Sequence, residues 1–226
     1  MLLLVTDTSG RNGSVALARA DEGSNEVHIM ESAPLTGGTF SAQLVPQIDA
    51  LLTKHGFSKT QIEAFIVVSG PGSFTGLRVG LAAIKALGEI LAKPIVSVSL
   101  LEVLAWPNAG SGKVMSAMDA GRGEIFAGEY EFTNANRVIR EQLLSKEEFL
   151  ESACKASVVT ADQKIADLAR DAGLTFRLVD TISSGVITRL GWKKLRAGET
   201  VDPVRLDANY IRRTDAEIFA NPPSKS

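Results

Sequence analysis

The sequence has very little of what metal-binding and disulfide-stabilised proteins require. It contains one cysteine, Cys154, and only two histidines among its 226 residues. A single thiol cannot form an internal disulfide, and scarce cysteine is typical of the cytoplasm. With so few thiol and imidazole ligands, a zinc-type centre is not expected. We therefore expect a cytoplasmic protein that holds no metal and no other cofactor.

Long apolar runs and an excess of one charge are missing as well. No stretch approaches the roughly 18 apolar residues that a helix needs to cross a bilayer. The N-terminus reaches an acidic residue at Asp7 with no basic segment before it, so we expect no signal peptide. The formal net charge is −2, which provides no broad basic field for nucleic acid. If nucleic acid is a substrate, another molecule must hold most of it.

Apolar strand patterns and amphipathic helix patterns alternate along the chain, and turns rich in glycine, proline and asparagine separate them. Strands that alternate with helices favour an α/β fold. The first half predicts a hairpin, a third strand and then alternating helices and strands. These are strands 2–7, 13–20 and 27–35, helix 40–56, strand 62–70, helix 76–92, strand 94–99 and helix 99–107.

The opening pattern occurs a second time at residues 113–132, where an apolar strand, a turn with glycine and arginine, and a returning strand follow one another. Asp7 and Asp119 stand at equivalent points of the two hairpins. A fold that begins twice predicts two related α/β lobes. We assign them to residues 1–106 and 113–220, with a frayed tail at 221–226. The second half also predicts helices 145–153, 161–173 and 183–198 and strand 157–162.

A glycine-rich loop, GPGSFTGLRVG at residues 70–80, joins a buried strand to a helix. Such loops often cradle phosphates, but this one fits neither the Walker pattern nor the dinucleotide fingerprint. Two interpretations stay open, an anion site at the helix N-terminus and a structural turn. For Asp7 they are a phosphate-facing acid and a turn-capping acid. The candidate anion- or nucleotide-facing residues are Asp7, Ser9, Gly70, Gly72, Ser73, Thr75 and Arg78.

The helix that follows this loop is apolar on nearly every side. Its charged residues Arg78, Lys85 and Glu89 share one narrow face, and Gly76 and Gly80 belong to a row of small residues that lets another backbone approach closely. A helix of this kind is buried on more than one side. The second neighbour is either helix 40–56 of the same chain or a second chain.

Five segments of the sequence stand out, and the glycine-loop string is the most specific of them. They are DTS and SVAL (7–9 and 14–17), SAQLVPQIDALL (41–52), SGPGSFTGLRVGLAAIKAL (69–87), MDAGRGEIFAGEY (118–130) and DANYIRRTDAE (207–217). In this order they resemble the TsaB (YeaZ) family, a subunit of the bacterial machinery that makes threonylcarbamoyladenosine in tRNA. The resemblance covers most of the chain and implies an actin-like fold of two lobes, in the sugar kinase/Hsp70/actin and ribonuclease H-like superfamily.

The resemblance also implies that this chain is not an enzyme. The catalytic relative, TsaD, has a metal-binding His-Met-Glu-Gly-His string after the strand that follows the glycine-loop helix. Here the equivalent stretch has Leu100 and Leu104 in place of the two histidines, and only Glu102 persists. Leucine offers no lone pair to a metal. The chain therefore resembles a family member that has lost the chemistry.

The partners implied by the resemblance are a TsaD-like transferase, a TsaE-like ATPase and, for the isolated chain, a second copy. We expect contact with tRNA only through the complex and no contact with membranes. The alternative is an independent actin-like ATP-binding enzyme, motivated by Asp7, Asp119 and the glycine loop. Helices 40–56 and 76–92 would form the partner interface, with Leu44, Ile48, Leu77, Gly80, Leu81, Ile84 and Leu87 as its candidate residues.

Overall fold

The first 99 residues form a mixed five-stranded sheet in the computed structural model, which describes residues 1–24, 26–36, 38–108, 112–132, 136–209 and 211. Its strand order is β3-β2-β1-β4-β5. The first three strands pair antiparallel, and β4 and β5 run parallel to β1. The strands are β1 (Leu2–Asp7), β2 (Asn12–Ala20), β3 (Val27–Thr36), β4 (Ala64–Gly70) and β5 (Ile95–Ser99).

A second five-stranded sheet has the same plan. Its order is β10-β9-β6-β7-β8, with an antiparallel hairpin at the start and two parallel strands at the end. Each sheet therefore begins with the same three antiparallel strands, which confirms the prediction of an α/β fold that begins twice. The strands are β6 (Gly112–Gly121), β7 (Glu124–Phe132), β8 (Asn136–Ser145), β9 (Ser157–Thr160) and β10 (Phe176–Leu178).

Helices cover both faces of the first sheet. On one face, α1 and α2 bury leucine and isoleucine side chains against β1, β2 and β4. On the other face, α6 and part of α3 pack against the same strands, and α3 also forms an apolar cluster with β6, β7 and β9 of the second sheet. The helices are α1 (Phe40–Lys54), α2 (Phe74–Leu91), α3 (Leu100–Ala105), α4 (Lys146–Ala153), α5 (Gln163–Asp171) and α6 (Ser184–Arg196).

The elements predicted from the sequence are present, with shifted ends. Helix α2 begins at Phe74 rather than residue 76, because the Ser73 hydroxyl caps it by accepting from the Gly76 amide. Helix α1 ends at Lys54, two residues before Gly56, whose φ of +72° leaves the helical region. Strands β8 and β10 were not predicted, because β8 carries several polar residues and β10 is only three residues long.

The predicted boundaries between the lobes stay a prediction, and the packing adds one observation to them. Helix α6 belongs to the second half of the sequence but packs on the first sheet, through Ile187, Leu190 and Trp192. The predicted tail at 221–226 and the family-like segment beyond residue 211 lie outside the described residues.

Candidate functional site

The glycine loop lies against the turn between β1 and β2. The Ser73 amide donates to the Ser9 carbonyl at 2.6 Å, and the Ser73 hydroxyl accepts from the Gly76 amide. Pro71 has no amide hydrogen to offer. Two amide groups that a phosphate could use at this helix N-terminus, those of Ser73 and Gly76, are therefore already bonded within the chain.

The row of small residues on α2 is filled by that same turn. A Cβ on Gly72 would lie 2.2 Å from the Ser9 carbonyl oxygen, and one on Gly76 would lie 2.1 Å from the Thr8 carbonyl oxygen. The backbone that these glycines admit is thus the chain's own hairpin turn, and not that of helix 40–56; packing of a second chain on another side of α2 stays a prediction. The contact favours the structural interpretation of the loop.

Asp7 caps the first turn and is nearly buried. Its Oδ1 accepts from the Ser9 amide at 2.9 Å and from the Ser9 hydroxyl at 2.6 Å. Burial raises the pKa of the Asp7 carboxyl, and the two bonds from Ser9 only partly oppose this shift. These contacts are those of a turn-capping aspartate.

Asp119 makes the equivalent contact in the second hairpin, where its Oδ1 accepts from the Gly121 amide at 2.8 Å. Its Oδ2 accepts from Lys164 Nζ at 2.9 Å. The Lys164 ammonium lowers the pKa of Asp119, so the two equivalent carboxyls have pKa values shifted in opposite directions.

The remaining candidates of the loop lie at the surface or in the turn. Thr75 and Arg78 are exposed in the first turns of α2, and the Arg78 guanidinium stacks 3.7 Å from the centroid of the Phe74 ring. Gly70 has a φ of +120°, a conformation that side chains rarely adopt. A role of these residues toward an anion or nucleotide stays a prediction.

The two positions at which the resemblance implies histidine ligands in the catalytic relative are apolar in this structure. Leu100 and Leu104 are four residues apart on α3 and are buried in two apolar clusters. Glu102 pairs with Lys194 Nζ at 2.5 Å, and burial raises the pKa of Glu102 despite this partner. Among the described residues, no three His, Cys, Asp or Glu side chains are grouped as a metal site requires.

The structure corrects the residues chosen for the partner interface. Six of the seven are buried within the chain, because five form the sides of α1 and α2 that face the first sheet and Gly80 lies against Thr8 of the hairpin turn, and Leu87 is half-buried beside them. A buried side chain cannot contact a partner. The six are Leu44, Ile48, Leu77, Gly80, Leu81 and Ile84.

The opposite sides of the same two helices are exposed, and apolar side chains there alternate with polar and charged ones such as Asp49, Arg78 and Glu89. Val45 is 59% exposed and Ile90 is 77% exposed. On α2 the exposed apolar residues and Arg78 recur every four positions from Phe74 to Ile90, which places them in one row with two alanines at its centre, and Thr75 and Glu89 are exposed beside that row. We call this surface the α1–α2 outer face: Ala42, Val45, Pro46, Ala50, Phe74, Ala82, Ala86 and Ile90.

Sequence reasoning found these helices but missed this face. In α2 the apolar residues surround the axis, so their periodicity does not separate the buried side from the exposed side. The signal that could have separated the two sides of α2 was the size of the side chains. The glycines mark the side that meets another backbone, and the outer face lies on the other side of the helix.

The fold defines the class of protein. Two mixed sheets of the same order, each begun by a hairpin and flanked by helices, make this an actin-like, ribonuclease H-like α/β protein. Its fold matches the solved structure of YeaZ from Pseudomonas aeruginosa with a TM-score of 0.73 and 23% identity. The match covers 92% of this chain and 99% of that one, so the two chains share a fold.

Comparison of sequences gives the family. Residues 35–190, more than half of the chain, match the family model described as "TsaD: tRNA N6-adenosine threonylcarbamoyltransferase". The chain is 29% identical to the tRNA threonylcarbamoyladenosine biosynthesis protein TsaB of Escherichia coli and 28% identical to that of Bacillus subtilis, with 96% of each chain covered. The chain belongs to the TsaB (YeaZ) family.

Within the described part of the chain, no helix combines the length and the apolar character needed to cross a lipid bilayer.

Proposed function

We propose that this chain is a non-catalytic subunit of the bacterial machinery that forms threonylcarbamoyladenosine in tRNA, and that it docks and activates a TsaD-like transferase. The observation that carries the proposal is the α1–α2 outer face. Val45 on α1 and Ile90 on α2 are exposed apolar side chains, and the two helices are in contact with each other. We propose that they belong to one apolar patch, the kind of surface that typically binds another protein.

Small residues at the centre of this face suit a helical partner. Ala82 and Ala86 leave no long side chain between α2 and an approaching helix, so two helix axes can come within the usual 8–10 Å, roughly, of packed helices. At the end near the glycine loop, the Arg78–Phe74 stack adds a charged group beside an aromatic ring.

We propose that the chain has no catalytic activity of its own, because of the residues at the two positions where the catalytic relative has metal-binding histidines. Leu100 and Leu104 replace the family's histidines and are buried among apolar side chains. Glu102, the residue that persists, is held by Lys194. We also propose that a TsaE-like ATPase joins this chain and the TsaD-like transferase, and that the isolated chain forms a homodimer through the α1–α2 outer face. In this proposal tRNA is bound only through the complex, and the complex works in the cytoplasm.

Binding of the purified chain to a TsaD homologue from the same organism tests the proposal, by co-elution in size-exclusion chromatography and by calorimetry. We expect Val45→Arg and Ala86→Arg to weaken binding about tenfold or more, because each places a charge in the apolar contact. Val138→Arg is the matched control, since Val138 is also exposed, at 48%, but lies on β8.

Failure of the wild-type chain to co-elute would contradict the proposal, and so would normal binding by both outer-face variants. The alternative, an independent ATP-binding enzyme, predicts ATP binding by the isolated chain and its loss in Asp7→Asn. Absence of heat on titration with ATP would remove that alternative.

A further inference from the structure

The segment after α6 runs over the edge of the first sheet and reaches the second. We call residues 201–209 the closing strap. The Val201 amide donates to the Ile95 carbonyl at 2.8 Å, so the strap begins on the edge strand β5. Lys85 of α2 then donates to the Val204 carbonyl, and Leu206 is buried in the core beneath α1 and α2. The strap is therefore anchored on the face of the first sheet that α1 and α2 cover.

Asn209, at the end of the strap, is bonded to both sheets. Its backbone amide donates to the Ser69 carbonyl at 2.8 Å, directly before the glycine loop. Its side-chain Nδ2 donates to Glu141 Oε2 at 2.5 Å, and Glu141 lies on β8, the edge strand of the second sheet. Asn209 thus links the start of the glycine loop to β8, an edge strand of the second sheet.

Glu141 is held in place from its other side. Its Oε1 accepts from the Tyr130 hydroxyl at 2.5 Å. Tyr130 is 1% exposed and belongs to the apolar cluster that α3 forms with the second sheet, against which Ile211 also packs. Hydrogen bonds to a carboxylate are stronger than neutral ones, and breaking one in partly buried surroundings leaves a group without its partner.

We propose that Asn209 is a positioning residue that clasps the second sheet to the glycine loop and so holds the start of α2 in a fixed place relative to β8. The clasp joins segments far apart in sequence, and neither of its two bonds belongs to a regular ladder. Because the loop begins α2, the clasp also sets one end of the α1–α2 outer face. Its effect on docking rests on the proposed function, whereas the clasp itself does not.

Hydrogen–deuterium exchange on the full chain tests the clasp. N209D places a second carboxylate beside Glu141, where like charges repel. We expect amide exchange at residues 69–78 and 136–145 to accelerate about tenfold or more, the size of effect expected for loss of a charge-assisted bond. N209A removes only the side-chain bond and should accelerate the same segments less, which provides a milder variant if N209D does not fold.

The double variant N209D/E141Q gives the sharpest readout. The amide at position 141 can donate to the carboxylate at position 209, while the amide oxygen still accepts from the Tyr130 hydroxyl. We therefore expect amide hydrogen exchange to return close to that of the wild type. Arg140→Gln is the control, because it removes the Arg140–Glu129 ion pair on the neighbouring position of β8. It should leave exchange at residues 69–78 unchanged.

Unchanged exchange at residues 69–78 in both N209D and N209A would overturn the clasp, as would a double variant no better than N209D. Affinity for the TsaD-like partner is measured separately on N209A, and the expected result is weaker binding. If exchange changes as expected but affinity does not, the link to docking is wrong and the clasp stands. If the wild type binds no such partner, the proposed function fails while the exchange data still decide on the clasp.

Discussion

Thr8 and Gly80 are in direct contact: a Cβ on Gly80 would lie 2.2 Å from Thr8 Oγ1. With Gly72 and Gly76, this glycine seats the first hairpin turn on the side of α2. Glycine in a helix costs about 0.5–1 kcal/mol relative to alanine, and the close approach of this turn explains why the chain tolerates that cost. The contact also turns the opposite side of α2 toward the surface.

Gly76→Ala should destabilise the protein by about 3 kcal/mol or more, because the new Cβ would lie 2.1 Å from the Thr8 carbonyl oxygen, a backbone atom. Urea unfolding measures the loss. Gly185→Ala on α6 is the control, since the nearest atom there is 3.5 Å away, and it should be neutral or gain up to about 1 kcal/mol. A Gly76→Ala protein within about 0.5 kcal/mol of wild type would contradict the packing described here.

Thr6→Val should stabilise the protein by about 1 kcal/mol. The Thr6 hydroxyl is fully buried and has no hydrogen-bond partner among the described residues, so an isosteric methyl removes an unsatisfied polar group. Thr160→Val should do the reverse, because the equally buried Thr160 hydroxyl accepts from the Asp162 amide at 3.0 Å. Thermal unfolding of both variants is the measurement, and shifts of the same sign would speak against this explanation.

Asp7 and Asp119 should contribute to stability with opposite pH dependence. Burial raises the pKa of Asp7, so the folded state binds this proton more tightly than the unfolded state. Its contribution is present at low pH and is lost as the pH rises through the raised pKa. Lys164 lowers the pKa of Asp119, whose contribution is present above the unfolded pKa and is lost as the pH falls through the folded pKa.

Urea unfolding of wild type, Asp7→Asn and Asp119→Asn between about pH 2 and pH 7 separates the two, because the Asp119 effect lies below the unfolded pKa of a carboxyl and the Asp7 effect above it. With rising pH, wild type should lose stability relative to Asp7→Asn and gain it relative to Asp119→Asn. Parallel slopes for the two variants would show that the environments of the carboxyls are not as described.

Lys194→Met should cost about 3 kcal/mol, because it leaves the Glu102 carboxylate without its partner when that side chain is only 13% exposed. Replacing both partners, as in Glu102→Leu with Lys194→Met, should recover most of the loss. Asp167→Asn is the control at the exposed Arg170 pair and should cost less than about 1 kcal/mol. A double variant as unstable as Lys194→Met would refute this account of the pair.

The sequence alone was enough to identify the fold class and the family. The two hairpins could be predicted because alternating apolar and polar residues and turn residues are local properties of β1, β2, β6 and β7. The family could be identified because the glycine-loop string is specific to it. Strands β8 and β10 escaped because one carries several polar residues and the other has three residues.

Only the tertiary structure decided which side of each helix is buried in the core and which side is exposed. The leucines at 44 and 77 were expected at a partner surface and lie in the core, whereas Val45 and Ile90 are exposed. The bonds of Asn209 to Ser69 and Glu141 join segments distant in sequence, so no local pattern announces them. A helix that is apolar all round carries no directional signal in its periodicity, and its buried side is chosen by what packs against it, here the first sheet and the turn at Thr8.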